Sequence, residues 1–158
     1  MNAMPHLVIA AIVGSGLMSG LLFAFSVVVM RALRELPAPV GMLAMQRINV
    51  LIINPLFLLV FLGTAVLCAA VGVLAVRGLG GAAAPWLVAG AVAYLAGPLG
   101  VTVAFNVPLN NRLATVPADR AEAEWPAYVT VWLVWNHVRT ALGALSVGLL
   151  GMGLAVAG

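Results

Sequence analysis

The sequence predicts an all-α integral membrane protein: a four-helix bundle with short connections and an interfacial helix before the last span. Three observations predict it. Hydrophobic residues make up 65% of the chain and charged residues only 7%, against the roughly 25% charge of soluble domains. Four long runs, residues 7–30, 50–76, 82–111 and 140–158, carry no charge. Each reaches the roughly 20 residues a helix needs to cross the hydrocarbon core. Four spans in 158 residues leave no room for a second domain. The reading is therefore one membrane domain over 1–158, with spans at about 7–30, 50–76, 85–107 and 129–156.

The elements follow in order. The first run lacks the Lys/Arg-rich start of a signal peptide and exceeds the roughly 7–15 residues of its apolar region, so it reads as a membrane helix. Within it Gly16-Leu-Met-Ser-Gly20 is a small-xxx-small spacing that lets helices approach closely. It serves packing inside the bundle or a homo-oligomer contact, and the first is the expectation. Pro37 and Pro39 interrupt helix in the first connection. Residues 40–49 read as helical again and run into the second span. Pro117 ahead of Asp119-Arg-Ala-Glu122 resembles a capping box opening a short interfacial helix. Pro126 suits the first turn of the last helix, which is expected to run on continuously with Arg139 facing the bundle.

All positive charge comes from arginine, since the chain has no lysine. Arg31, Arg34 and Arg47 flank the first connection, and Arg112 and Arg120 lie in the third; Arg77 alone borders the second. The positive-inside rule then places connections one and three in the cytoplasm and both termini outside a cell (plasma) membrane. Such a charge excess reports topology, not nucleic acid. Cys68 is the only cysteine, and His6 starts span one at the end opposite His137. No internal disulfide is possible, and no zinc, iron or copper ligand set assembles. No phosphate-cradling Gly-rich loop or Ser-His-acid arrangement is visible, and no span holds the carboxylate that proton-coupled transport uses.

The topology gathers the polar residues at one leaflet. Gln46, Asn49 and Asn54 at the start of span two converge with Asn106, Asn110 and Asn111 from the end of span three. The segment Trp132-Leu-Val-Trp135-Asn136-His137-Val-Arg139 joins them from span four. Trp132, Asn136 and Arg139 fall at i, i+4 and i+7 on one helical face, and Gly143 continues that stripe. His137 sits about 100° round, at its border. Pro55 and Pro108 each free a backbone carbonyl one turn back, which suits the lining of a cavity. Ionisable groups at membrane depth are costly and mark functional sites by default. Blander readings stand beside this one: Trp125, Trp132 and Trp135 as an interfacial belt, Asn54, Asn106 and Asn110 as caps or interhelical glue, and Arg139 as an anchor.

Asn106-Val-Pro108-Leu-Asn110, then Trp125 and Trp132-x-x-Trp135-Asn136-His137-x-Arg139-Thr140, resemble the anthrone oxygenase-like family of small four-span membrane proteins. The resemblance implies oxidation of an anthrone or another flat phenol by O2 without metal, flavin or other cofactor. It also implies His137 as base and Arg139 and Asn136 as stabilisers of the oxyanion. Trp132, Trp135, Asn49, Asn54, Asn106 and Asn110 would contact the substrate. Lipid, an apolar aromatic molecule and O2 are then the partners. The alternative is a non-catalytic membrane module that binds a lipid, a quinone or a partner helix through the same pocket.

Overall fold

The computed structural model describes residues 3–157; Met1 and Gly158, which carry the expectation that both termini lie outside, fall beyond the described residues. Four helices are long and apolar enough to cross a bilayer: Met4–Glu35, Pro55–Leu79, Gly81–Ala114 and Ala118–Ala157. They are spans one to four below. No strand occurs among the described residues, and the chain is an all-α four-helix bundle. Span four packs against spans one and three, and span two closes the bundle from the other side of the same two.

The segment before span two departs from the expectation. Ala38–Leu51 forms a separate helix, and the chain breaks at Ile52–Ile53 before span two begins at Pro55. Asn54 is the reason: it is extended, and its side chain accepts a hydrogen bond from the Phe57 N–H at 3.0 Å. Pro55 then occupies the first helical position, where its missing N–H costs nothing. The pair starts a helix rather than kinking one, so no carbonyl is freed at Pro55. The short helix lies instead against the end of span one, the end of span three and the start of span four. It gathers connections one and three, with all their arginines, at one end of the bundle.

Span four also differs at its start. Only one 3-10 turn, Ala118–Arg120, precedes a single helix Ala121–Ala157, so no separate interfacial helix stands there. Pro126 lies inside that helix, not in its first turn. The helix is continuous, as expected, and Arg139 is its middle residue.

Span three changes pitch. Leu95–Asn106 follows π-helical hydrogen bonding around Pro98, which lacks an N–H donor and whose ring crowds the carbonyl four residues back. Such segments recur at functional sites; here it carries Thr102 and Asn106.

The core divides in two. One apolar cluster, including Met18, Phe61, Cys68, Tyr94 and Leu150, fills the end opposite connections one and three, where Arg77 is the one arginine among the described residues. The other, including Met30, Met45, Leu113, Trp125 and Tyr128, fills the arginine-rich end. Trp125 is 3% exposed there. It is a core residue and not the interfacial belt that its position in the sequence suggests. Gly16 and Gly20 meet no neighbouring chain at the Cβ position. The close approaches fall elsewhere: a Cβ on Gly14 would collide with Thr64, and one on Gly97 with Leu142. The small-xxx-small pair therefore faces outward and does not pack the bundle internally.

Candidate functional site

Between the two apolar clusters lies a polar layer centred on span four. Arg139 is 6% exposed and Asn136 is fully buried. With eighteen residues on either side, Arg139 stands ~27 Å along the axis from both helix ends. A guanidinium so placed costs about 2.5–3.5 kcal/mol on insertion scales unless partnered. Its partners are all neutral. Nη1 donates to Thr102 Oγ1 at 2.9 Å, Nη2 donates to Asn136 Oδ1 at 2.6 Å, and the cation lies 5.2 Å from the Trp132 ring centroid. The sole ion pair among the described residues is Arg31–Glu35 at the surface. Arg139 is thus a buried cation without a counter-charge, and its Nε has no partner.

Asn136 is fixed from the other side. Its Nδ2 donates to Leu22 O at 2.8 Å and to Ser26 Oγ at 2.7 Å, which ties span four to span one. Its carbonyl oxygen is thereby aimed at Arg139. Asn106 is buried and its Nδ2 reaches Trp132 O at 3.5 Å, while its Oδ1 is buried with no partner. Asn106 meets the Trp132 backbone and Arg139 its ring, and each keeps one buried polar atom without a partner, Asn106 Oδ1 and Arg139 Nε. Further along, Asn110 Oδ1 accepts from Trp132 Nε1 at 3.1 Å and from Tyr128 Oη at 2.8 Å. Asn49, on the short helix, is half-buried with an unpartnered Nδ2.

The structure therefore brings together Arg139, Asn136, Trp132, Asn106 and Asn110. Others stand apart. His137 is exposed on the outer side of span four, next to Asn136 in sequence but outside the bonded set. Trp135 stacks on Phe105 with ring centroids 3.6 Å apart, clamping spans three and four together. Asn54 is exposed and occupied as a helix cap. Asn54→Ala is expected to lower stability by about 1 kcal/mol, read from the unfolding transition in detergent. Asn111 is exposed. Gln46 is used structurally, donating to Leu113 O at 2.8 Å and Val116 O at 3.2 Å.

Sequence reasoning passed over Thr102, Ser26 and Tyr128. Tyr128 had a readable signal, one turn before Trp132 on the same helical stripe. Thr102 had none, because the π turn that aims it depends on tertiary packing.

Fold and site together define a four-span membrane protein with a neutral polar network around one buried arginine. The anthrone oxygenase family matches residues 57–149, more than half of the chain, and the chain belongs to that family. No curated protein and no solved structure matches it. The matched stretch contains the whole span-three and span-four part of the network and excludes Asn49 and Asn54.

Proposed function

We propose that the protein is a cofactor-independent oxygenase that converts an anthrone-type or other flat, enolisable phenolic ketone to its quinone with O2. The observation that carries the reading is Arg139, a buried cation with neutral partners and a free Nε–H. Such a group is poised for an anion. A phenol oxygen accepts from that N–H and, while protonated, donates to Asn106 Oδ1; once ionised, it leaves the guanidinium as its counter-charge. In a site of low dielectric such preorganised donors give large stabilisation of developing charge.

The chemistry balances with O2 alone. The benzylic CH2 loses a proton, and its electron pair spreads onto the ring oxygen that Arg139 holds. The carbon is oxidised by O2, a C–O bond forms, and a hydroperoxide results. Loss of the second C–H proton with cleavage of O–O expels water and leaves C=O. Among the described residues no three His, Cys, Asp or Glu side chains converge on one point. An apolar substrate and O2 both concentrate in a bilayer. The positive-inside rule supports a cytoplasmic position for the arginine-rich end.

His137 is the base that the family resemblance suggests. Its exposed position, about 100° round the helix from Asn136, separates it from the groups that hold the anion. With the anion stabilised, the proton can also leave to water at the arginine-rich end. The test is oxygen uptake by purified, metal-stripped protein with dithranol. Turnover above the spontaneous rate is expected, with His137→Ala retaining at least a tenth of it. Complete loss in that variant would make His137 the base after all. Background rates in the wild-type protein would leave the non-catalytic binding module as the better account.

A further inference from the structure

A cavity of about 350 Å³ opens at the arginine-rich end, between the last turns of span three and the first turns of span four. Glu124, Tyr128 and Val131 line it from successive turns of one helical face, Arg120 from the 3-10 turn just before that helix, and Leu109 and Arg112 from span three. Its rim is built: Gln46 holds the turning chain by the Leu113 and Val116 carbonyls. Neither Arg112 nor Arg120 has a carboxylate within ion-pair distance among the described residues, so two free guanidiniums and one carboxylate leave the cavity formally at +1. Thr115 and Tyr128 add hydroxyls to the lining, and the remaining side chains, Leu109 and Val131 among them, are apolar. Tyr128 is 7% exposed, and its hydroxyl donates to Asn110 Oδ1, the oxygen that also accepts from Trp132 Nε1. Trp132 in turn lies under Arg139. One bonded chain joins this cavity to the buried site.

We propose that the cavity binds a flat aromatic monoanion, a carboxylate or phenolate, with the rings against Leu109 and Val131 and the charge between Arg112 and Arg120. Glu124 beside the arginines disfavours a doubly charged phosphate and suits a single charge. Where the oxygenase reading holds, this names the substrate class: an acidic aromatic that docks from the arginine-rich end. The binding itself does not depend on turnover.

The test uses the full chain in phosphatidylcholine nanodiscs, with quenching of tryptophan fluorescence by anthracene-2-carboxylate or by its uncharged counterpart 2-methylanthracene. Neither probe has an oxidisable ring CH2, so the result stands apart from any failure of oxygen uptake. The carboxylate is expected to bind at least tenfold more tightly than the methyl compound. The double variant Arg112→Gln/Arg120→Gln is expected to lose that tenfold for the carboxylate and nothing for the methyl compound, and Arg112→Lys/Arg120→Lys to recover most of it. Equal affinity for the two probes, or an unaffected double Gln variant of native helical content, overturns the proposal. Displacement of the carboxylate when phosphatidylglycerol replaces the neutral lipid also overturns it, and assigns the cavity to a lipid headgroup.

Discussion

Arg139→Met is expected to lower kcat/KM for dithranol oxidation by about 10²–10³ while leaving thermal stability within ~1 kcal/mol of the parent. The two halves of that expectation have different origins. Activity falls because the only buried positive charge in the polar layer is gone, and the substrate anion then ionises without a counter-charge. Stability holds because Arg139 contributes little to it: its partners are neutral, and burying the cation has already cost desolvation. Replacing a buried charge by an apolar side chain of similar volume is often neutral or stabilising.

The groups left behind are also accounted for. Thr102 still donates to Pro98 O, and Asn136 keeps both Nδ2 bonds to Leu22 and Ser26. Asn136 Oδ1 and Thr102 Oγ1 each lose a donor, and the Thr102 hydroxyl keeps its bond to Pro98. Arg139→Lys should fall between parent and Met, since a point charge remains but the planar fork that reaches Thr102 and Asn136 together does not. Oxygen uptake with dithranol and a detergent melt on each variant decide the matter. A stability loss that tracks the activity loss would make Arg139 a structural group. Full activity in the Met variant would remove the oxyanion role.

Much of this arrangement is legible in the sequence, for physical reasons. A span without charge has to be long and apolar whatever its neighbours, so residues 7–30 and 82–111 announce themselves. The stripe Trp132, Asn136, Arg139 and Gly143 is also legible, because period 3.6 fixes which side chains share a face, and all four are buried. What the period cannot fix is which face of a uniformly apolar helix turns inward. Gly14 and Gly16 in span one are two residues apart and face opposite ways, yet only the Gly16–Gly20 spacing matches a familiar motif. The same limit applies to His137: one residue beyond Asn136, at the border of the stripe, it lies on the exposed side of the helix. The Asn54-Pro55 helix start was present as a cap followed by proline, and was outweighed by the expectation that helix runs on through 40–49. The π segment has no local signature beyond Pro98, since its register is set by what span three packs against.

Gly97→Val is expected to destabilise the bundle by about 1–3 kcal/mol and to reduce dithranol turnover with it, whereas Gly16→Val stays within about 0.5 kcal/mol. A Cβ on Gly97 would overlap Leu142 Cβ, an atom fixed to the span-four backbone and unable to swing aside. The helices themselves must separate. Gly97 belongs to the π segment that carries Thr102 and Asn106. Pushing this segment off span four therefore opens the Thr102–Arg139 bond and the Asn106–Trp132 contact. Gly14→Val supplies the control for stability alone. It collides with Thr64 between spans one and two, among the residues of the other apolar cluster and away from Arg139. It should lower the melting transition to a similar degree while leaving the turnover of the folded fraction near the parent value. If Gly97→Val and Gly14→Val lose turnover equally at matched folded fractions, the contact between the π segment and span four has no special hold on the site. If only Gly97→Val does, the close approach of spans three and four is what keeps the buried arginine aimed.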